Sequence, residues 1–278
     1  MQVTDTHFGS FPFVGRDLKT FRAIKQAVKQ LEPDLLIHTG DLFWSKEFKD
    51  PVTAFESILL AFLSLDVPLV LTFGNHDAHE KTLRKQLGEL FIEACANLIY
   101  PQEMALIDSR LNYCVDLYDH QGQACVNSLF ILDSGGYSNH HYSTYEWLSD
   151  HQIQWFRQAS ATRQHVHDFM FHHIPLLEYR DAAQQIVAGQ ALVSPKNFAL
   201  PQFNSGFFAT LLDYPNIWGT FAGHDHSNNF EGMIYGKHLV YGNTSGYNCS
   251  GKIKRGVRVL DLNEKTHAVH TYVVPYES

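Results

Sequence analysis

The chain has 278 residues, of which 45% are hydrophobic and 18% charged, a globular composition that excludes a disordered tail protein and a low-complexity scaffold. Its 21 Lys and Arg against 29 Asp and Glu leave a formal charge of −8, which argues against a broad nucleic-acid-binding surface, and no apolar run approaches the ~18 residues of a membrane span, so no membrane partner is expected. Four cysteines without CxxC spacing read as reduced thiols rather than a disulfide framework; 17 histidines are the unusual count.

The opening MQVTDTHFGS has no basic stretch followed by an apolar run, so no signal peptide is read there and a cytoplasmic protein is expected. Met1–Val3 is a short run-up for a strand. Between Asp17 and Leu31, the residues Leu18, Phe21, Ile24, Ala27, Val28 and Leu31 recur at i, i+3 and i+4, which predicts a helix opened by Asp17 or an earlier Gly. Asp34–Asp41 and Pro68–His76 read as buried strands, and Val52–Leu65 and Lys81–Cys95 as helices. This alternation implies parallel pairing through right-handed crossovers, with functional groups collected at the carboxyl ends of the strands. Ser128–Asp133, Asp168–His173 and Ile217–His224 are further buried strands, and Trp147–Ala159 a helix. The short runs Gly232–Tyr235, His238–Tyr241, Gly256–Asp261 and His267–Val274 predict a second, mixed or antiparallel sheet packed on the first. No repeat, Pro-rich linker or charge block separates the halves, so one two-sheet domain spanning 1–278 is expected.

Five short segments combine Asp, Asn or His with the end of a predicted strand: Asp5-Thr-His7, Gly40-Asp41, Gly74-Asn-His-Asp77, His172-His-Ile-Pro175 and Gly223-His-Asp-His226. Each alone is weak; a lone Gly-Asp is a turn. Alternate residues of a strand end point to the same side, so Asp5 with His7, and His224 with His226, can each present two ligands to one cavity.

With these motifs in this order, the sequence resembles the calcineurin-like metallophosphoesterases over its whole length. Leu132-Asp-Ser-Gly-Gly-Tyr-Ser138, Gln154-Trp-Phe156, Phe171–Leu176, Phe203-Asn-Ser-Gly-Phe-Phe208 and Gly246-Tyr247 are similar to a subgroup related to purple acid phosphatases. The resemblance implies an α/β fold, a two-sheet metallophosphoesterase sandwich flanked by helices in α-β-β-α layers, with a dinuclear metal centre. Carried over by residue, it makes Asp5, His7 and His226 ligands of one metal, Asn75, His173 and His224 ligands of the second, and Asp41 the bridge. His173 is preferred to His172 because the family ligand stands two residues before the proline, here Pro175; His172 then packs on the other face. Imidazoles with hard oxygen ligands suit Mn, Fe or Zn better than Ca, so two divalent or mixed-valence transition metal ions are expected. His76 becomes the proton donor to the leaving group, with Asp77 orienting its ring.

One position departs from the coloured phosphatases. Their iron-binding tyrosine, three residues after the bridging aspartate, is Trp44 here, so an Fe(III)-tyrosinate centre is not expected and Trp44 forms a pocket wall or packs in the core. Tyr137, His140, His141, Asn204, Tyr247 and His79 are candidates for a substrate rim, against the plain reading of solvated loops. His120, His165, His167, His267 and His270 read as surface residues, and Arg180, Lys252 and Arg255 as surface ion pairs or phosphate partners. The implied function is a dinuclear-metal-dependent phosphoester hydrolase for a small phosphorylated substrate, in the first place a phosphomonoesterase in which a metal-generated hydroxide attacks phosphorus in line. The alternative is a phosphodiesterase acting on cyclic or linear nucleotides. A non-catalytic protein-binding scaffold is the third reading, and the complete ligand set argues against it.

Overall fold

Residues 1–95, 103–163 and 165–277 are described by the computed structural model. Its strands and helices run, in chain order, β1 (Gln2–Val3), α1 (Gly15–Leu31), β2 (Leu36–Thr39), α2 (Pro51–Leu63), β3 (Leu69–Thr72), α3 (Lys81–Cys95), β4 (Met104–Ile107), β5 (Arg110–Tyr118), β6 (Cys125–Leu132), α4 (Asp150–Ser160), β7 (Asp168–Phe171), α5 (Tyr179–Ala182), β8 (Ile186–Ala188), α6 (Phe207–Leu212), β9 (Ile217–Ala222), β10 (Glu231–Ile234), β11 (Lys237–Tyr241), β12 (Gly256–Leu262) and β13 (Val269–Pro275). Local chemistry sets several boundaries. Asp50 caps α2, its carboxylate accepting from the backbone N–H groups of Val52 and Thr53 with Pro51 in the first turn. Ser149 and Gln152 form a reciprocal capping box that starts α4, three residues later than the periodicity from Trp147 suggests.

The strands form two sheets, one in the order β13-β12-β1-β2-β3 and one in the order β4-β5-β6-β7-β9-β11-β10-β8. Side chains alternate across the central strands of the larger sheet, which therefore buries both faces. Leu129, Ile131, Phe169, Phe171, Phe221 and Val240 join the core shared with the smaller sheet and with α1, α2 and α3. Their neighbours Phe130, Leu132, Met170, Ala222, Leu239 and Tyr241 pack instead with Phe156 of α4, Tyr179 of α5 and Phe207 of α6. The result is the expected layering of helix, sheet, sheet and helix. Among the described residues, no helix is long and apolar enough to cross a membrane.

The division of strands between the sheets differs from the expectation. Gly256–Asp261 and His267–Val274 do not belong to a second sheet with Gly232–Tyr235 and His238–Tyr241; as β12 and β13 they complete the sheet that begins at β1. Meanwhile β6, β7 and β9, grouped by sequence with β2 and β3, build the other sheet. The cause lies in β1, which is only two residues long and pairs on one side with β2, in parallel, and on the other with β12, antiparallel, through Gln2 and Arg258. Arg258 is 1% exposed. Its Nε donates to Tyr241 O at 2.8 Å and its Nη2 to Asn229 O at 2.5 Å, so one side chain of the smaller sheet satisfies carbonyls beside the larger. Arg258→Met would fill similar space but leave both carbonyls buried without donors. It is expected to lower stability by about 2–4 kcal/mol, read by urea unfolding; a change below ~0.5 kcal/mol would remove Arg258 as a tie between the sheets. Three strands, β4, β5 and β8, are additional to those read from the sequence, although β5 carries a strict alternation of Leu111, Tyr113, Val115 and Leu117.

Candidate metal centre

The five motif segments arrive at one edge of the sandwich because they continue parallel strands of both sheets. Asp5 and His7 follow β1, Asp41 follows β2, and Asn75 and His76 follow β3; His173 follows β7, and His224 and His226 follow β9. Backbone bonds tie the turns together, from Asp5 N to Gly40 O (3.1 Å) and from His7 N to Asp41 O (3.0 Å). Four of these residues occupy the left-handed region without being glycine: Asp5, His7, Asp41 and His224 have φ of +54°, +49°, +52° and +75°. Such conformations cost about 1–3 kcal/mol each and persist only where the surroundings over-determine them. Glycine is required beside them. A Cβ on Gly40, which has φ +86°, would stand 2.6 Å from His173 Nδ1, and one on Gly74 would stand 2.1 Å from Asp41 Oδ1.

The side chains converge in two groups that share Asp41: Asp5, His7, Asp41 and His226, and Asp41, His173 and His224. His7 Nε2 lies 3.1 Å from His226 Nε2, and His173 Nε2 lies 3.2 Å from both His224 Nδ1 and Asn75 Oδ1. Asp41 Oδ2 is 3.5 Å from His7 Nε2 and 3.3 Å from His173 Nε2; Asp5 Oδ1 is 3.3 Å from His226 Nε2. Donors around a metal at about 2.1 Å stand about 3.0–3.4 Å from one another, so the residues fit two such ions. Outer partners fix the rings in the required sense. His173 Nδ1 donates to Thr39 O at 2.8 Å, which turns Nε2 toward the centre, and His226 Nδ1 is 3.3 Å from Ser250 Oγ.

Electrostatics agree with a site built for cations. Burial opposes a proton on His173, but Asp41 and Asp5 outweigh it and push the imidazole up to about 9. His224 beside it is lowered to about 3 by burial and by the cationic His173, and His7 to about 4 by burial. Burial would raise Asp41, yet His173 holds its carboxyl well below the usual range. In the same way the bond and charge of His226 overcome burial to lower Asp5. Two carboxylates against as many as five positive charges would keep the metal-loaded centre cationic and attractive to phosphate despite the overall charge.

His76 is half-buried beside this cluster. Its backbone N–H, not its ring, contacts Asp41, donating to Oδ1 at 2.8 Å. The ring meets Trp44 at 4.1 Å between centroids, and its Nε2 lies 3.2 Å from the Tyr137 hydroxyl. Trp44 also packs 4.4 Å from His7, which makes it a wall of the site. The role expected for Asp77 needs correction. Its oxygens accept from Phe43 N (3.0 Å) and Gly74 N (2.7 Å), so it joins two turns and does not orient the His76 ring; side chains of adjacent residues diverge here. Burial, reinforced by Asp41, raises its carboxyl to about 7.

Of the rim candidates, the structure brings Tyr137 to the cluster, with His79 stacked on it at 5.7 Å. His140 and His141 are exposed and pack on Tyr142. Asn204 donates to Glu178 Oε1 at 2.8 Å, and Tyr247 lies under Lys19 Nζ at 4.0 Å, so both side chains are engaged elsewhere. His172 is buried, its Nδ1 donating to Ile174 O, in keeping with a packed residue. His165, read as a surface residue, is half-buried against Asp168 at 2.8 Å. Sequence reasoning misses Tyr145, whose ring meets His224 edge-on at 4.4 Å; its position between Ser143 and Trp147 carries no periodic or motif signal. Trp44 and Tyr145 present ring faces or edges, so iron-loaded protein is expected to show no intense violet charge-transfer band. A strong band in the visible spectrum would mean that a tyrosinate, Tyr137 or Tyr145, reaches the metal.

Residues 1–228 match the sequence profile described as calcineurin-like phosphoesterase. Two Arabidopsis thaliana proteins are similar along most of the chain. One, named probable inactive purple acid phosphatase 28, is 30% identical in an alignment 301 positions long that takes in 94% of this chain and 74% of that protein. The other, named probable inactive purple acid phosphatase 29, is 28% identical in an alignment 274 positions long that takes in 90% of this chain and 70% of that protein. A dimetal phosphatase from Danio rerio has the same fold, with a TM-score of 0.60 at 12% identity over 99% of this chain and 98% of that one. The profile spans both the first ligand pair and the Gly223-His-Asp-His226 turn, and on that extent the chain belongs to the calcineurin-like phosphoesterase family, whose members use a dinuclear metal centre.

Proposed function

We propose that the protein is an active phosphoester hydrolase, in the first place a phosphomonoesterase for a small phosphorylated substrate, loaded with two ions of Mn, Fe or Zn. The observation that carries this reading is the convergence of six donors in two groups sharing Asp41, with Asn75 Oδ1 3.2 Å from His173 Nε2 and His76 alongside. Bound metal ions would supply Lewis-acid polarisation of the phosphoryl oxygens and a nucleophile at neutral pH. The chain's own residues do the rest. Asp5, His7, Asp41 and His226 would hold one ion, and Asp41, Asn75, His173 and His224 the other. Trp44 packs on His7 and His76 at the side of the site, and His76 would give a proton to the departing oxygen. The two plant relatives are named probable inactive; the complete donor set supports catalysis for this chain over a binding scaffold. Phosphodiester hydrolysis is the second reading, since the same groups serve either ester. The test is a screen of the Mn²⁺-loaded protein against phosphomonoesters, diesters and nucleotides, with metal content measured on the same sample. Turnover fastest on monoesters is expected. Diesters turning over faster would replace the monoester reading, and two bound metals without turnover would overturn catalysis.

A further inference from the structure

Arg84 lies on α3, outside every motif, and is 4% exposed. Its guanidinium spans two segments that meet beside the metal centre. Nη2 donates to Gly74 O at 2.6 Å and to Ala78 O at 3.3 Å, which pins both ends of the turn carrying Asn75 and His76. Nη1 donates to Asp133 Oδ1 at 2.7 Å, and that oxygen also accepts from Gly135 N at 2.8 Å, fixing the turn that delivers Tyr137. At the far end of these two turns, the Tyr137 hydroxyl meets His76 Nε2 at 3.2 Å. A buried ion pair adds little net stability over a well-packed apolar pair. What a planar guanidinium fork adds is fixed geometry among its acceptors, here one carboxylate and two carbonyls.

We propose that Arg84, paired with Asp133, is a positioning residue that sets Tyr137 against His76 and thereby aims the His76 ring at the leaving group. The assignment rests on the reading of His76 as leaving-group donor. It gives the orienting role that Asp77 does not fill to a residue 49 positions away from Asp133 in the chain.

The test is a double-mutant cycle of Arg84→Lys and Tyr137→Phe on the metal-loaded protein, with an alkyl phosphate and nitrophenyl phosphate as substrates. Arg84→Lys is expected to keep both metals and to lose kcat on the alkyl phosphate by about 10²-fold, the effect of a displacement of roughly 1 Å. KM and the nitrophenyl reaction should change far less. Tyr137→Phe should show the same selectivity, and the double variant should be no worse than Arg84→Lys alone, because both remove one arrangement. Losses that multiply, or a lowered melting temperature with an unchanged ratio of the two substrates, would overturn the proposal. If Arg84→Lys does not fold, Asp133→Asn takes its place in the cycle. Hydrogen exchange on the metal-free protein supplies a readout independent of catalysis: amides of 74–78 and 134–137 should lose protection together in Arg84→Lys, and loosening of one segment alone would also overturn it. His76→Ala separates the two levels. A flat leaving-group response there removes the donor reading and this role with it, whereas a selective response there with a flat one in Arg84→Lys overturns the clamp alone.

Discussion

Asp41→Asn is expected to empty both metal positions, not one. Asp41 Oδ2 stands 3.5 Å from His7 Nε2 and 3.3 Å from His173 Nε2, one in each donor group, while Oδ1 is held by His76 N. An asparagine keeps the second bond only by turning its oxygen toward His76 N, which aims an amide donor at the two imidazoles in place of a lone pair. The loss of affinity should exceed the ~10–100-fold typical of outer partners, because the substituted atom would itself be a ligand rather than an outer partner. Elemental analysis after dialysis decides it. Retention of one ion at full occupancy would show that Asp41 serves a single position.

His76→Ala is expected to separate metal binding from chemistry. Residue 76 contacts Asp41 through its backbone N–H, which alanine preserves, so both metals and phosphate binding should survive. Loss of the imidazole should then lower kcat by roughly 10²- to 10⁴-fold on alkyl phosphates, whose alkoxides need a proton as they leave. Nitrophenolate leaves with little protonation, so its ester should suffer much less. Equal losses on both esters with metals in place would leave His76 only a role in stabilising phosphoryl charge. Loss of a metal ion would instead make it a support for Asn75.

The candidate metal ligands are legible in the sequence because they stand where apolar runs stop, and buried parallel strands end in this fold at a common edge. Asp5, Asp41, Asn75, His173 and His224 all carry that one-dimensional signal. The residues that support them do not. Arg84 reads as an ordinary charge on an amphipathic helix, and its function depends on three acceptors from distant turns. Tyr145 likewise acquires meaning only through its contact with His224. Asp77 fails in the opposite sense: adjacency to His76 suggests contact, whereas its carboxylate points into the turns at Phe43 and Gly74. Sheet membership is hidden for the same reason. The alternation in β12 shows a strand, but nothing in it names β1 as its neighbour, and a two-residue strand offers too short a pattern to be matched.

That pairing has a bearing on how the protein is made. During synthesis from the N-terminus, β1, β2 and β3 emerge early, but the outer edge of β1 has no partner until the ribosome has delivered Arg258, its register mate. The smaller sheet therefore closes late, across the loop from Gln2 to Arg258, and contacts of that span are slow to find. Until then the outer edge of β1 stands without its partner next to the loops of Asp5 and His7, open to pairing with another nascent chain. Nascent chains stalled before Gly256 should therefore be recovered bound to chaperones rather than as soluble, metal-binding fragments.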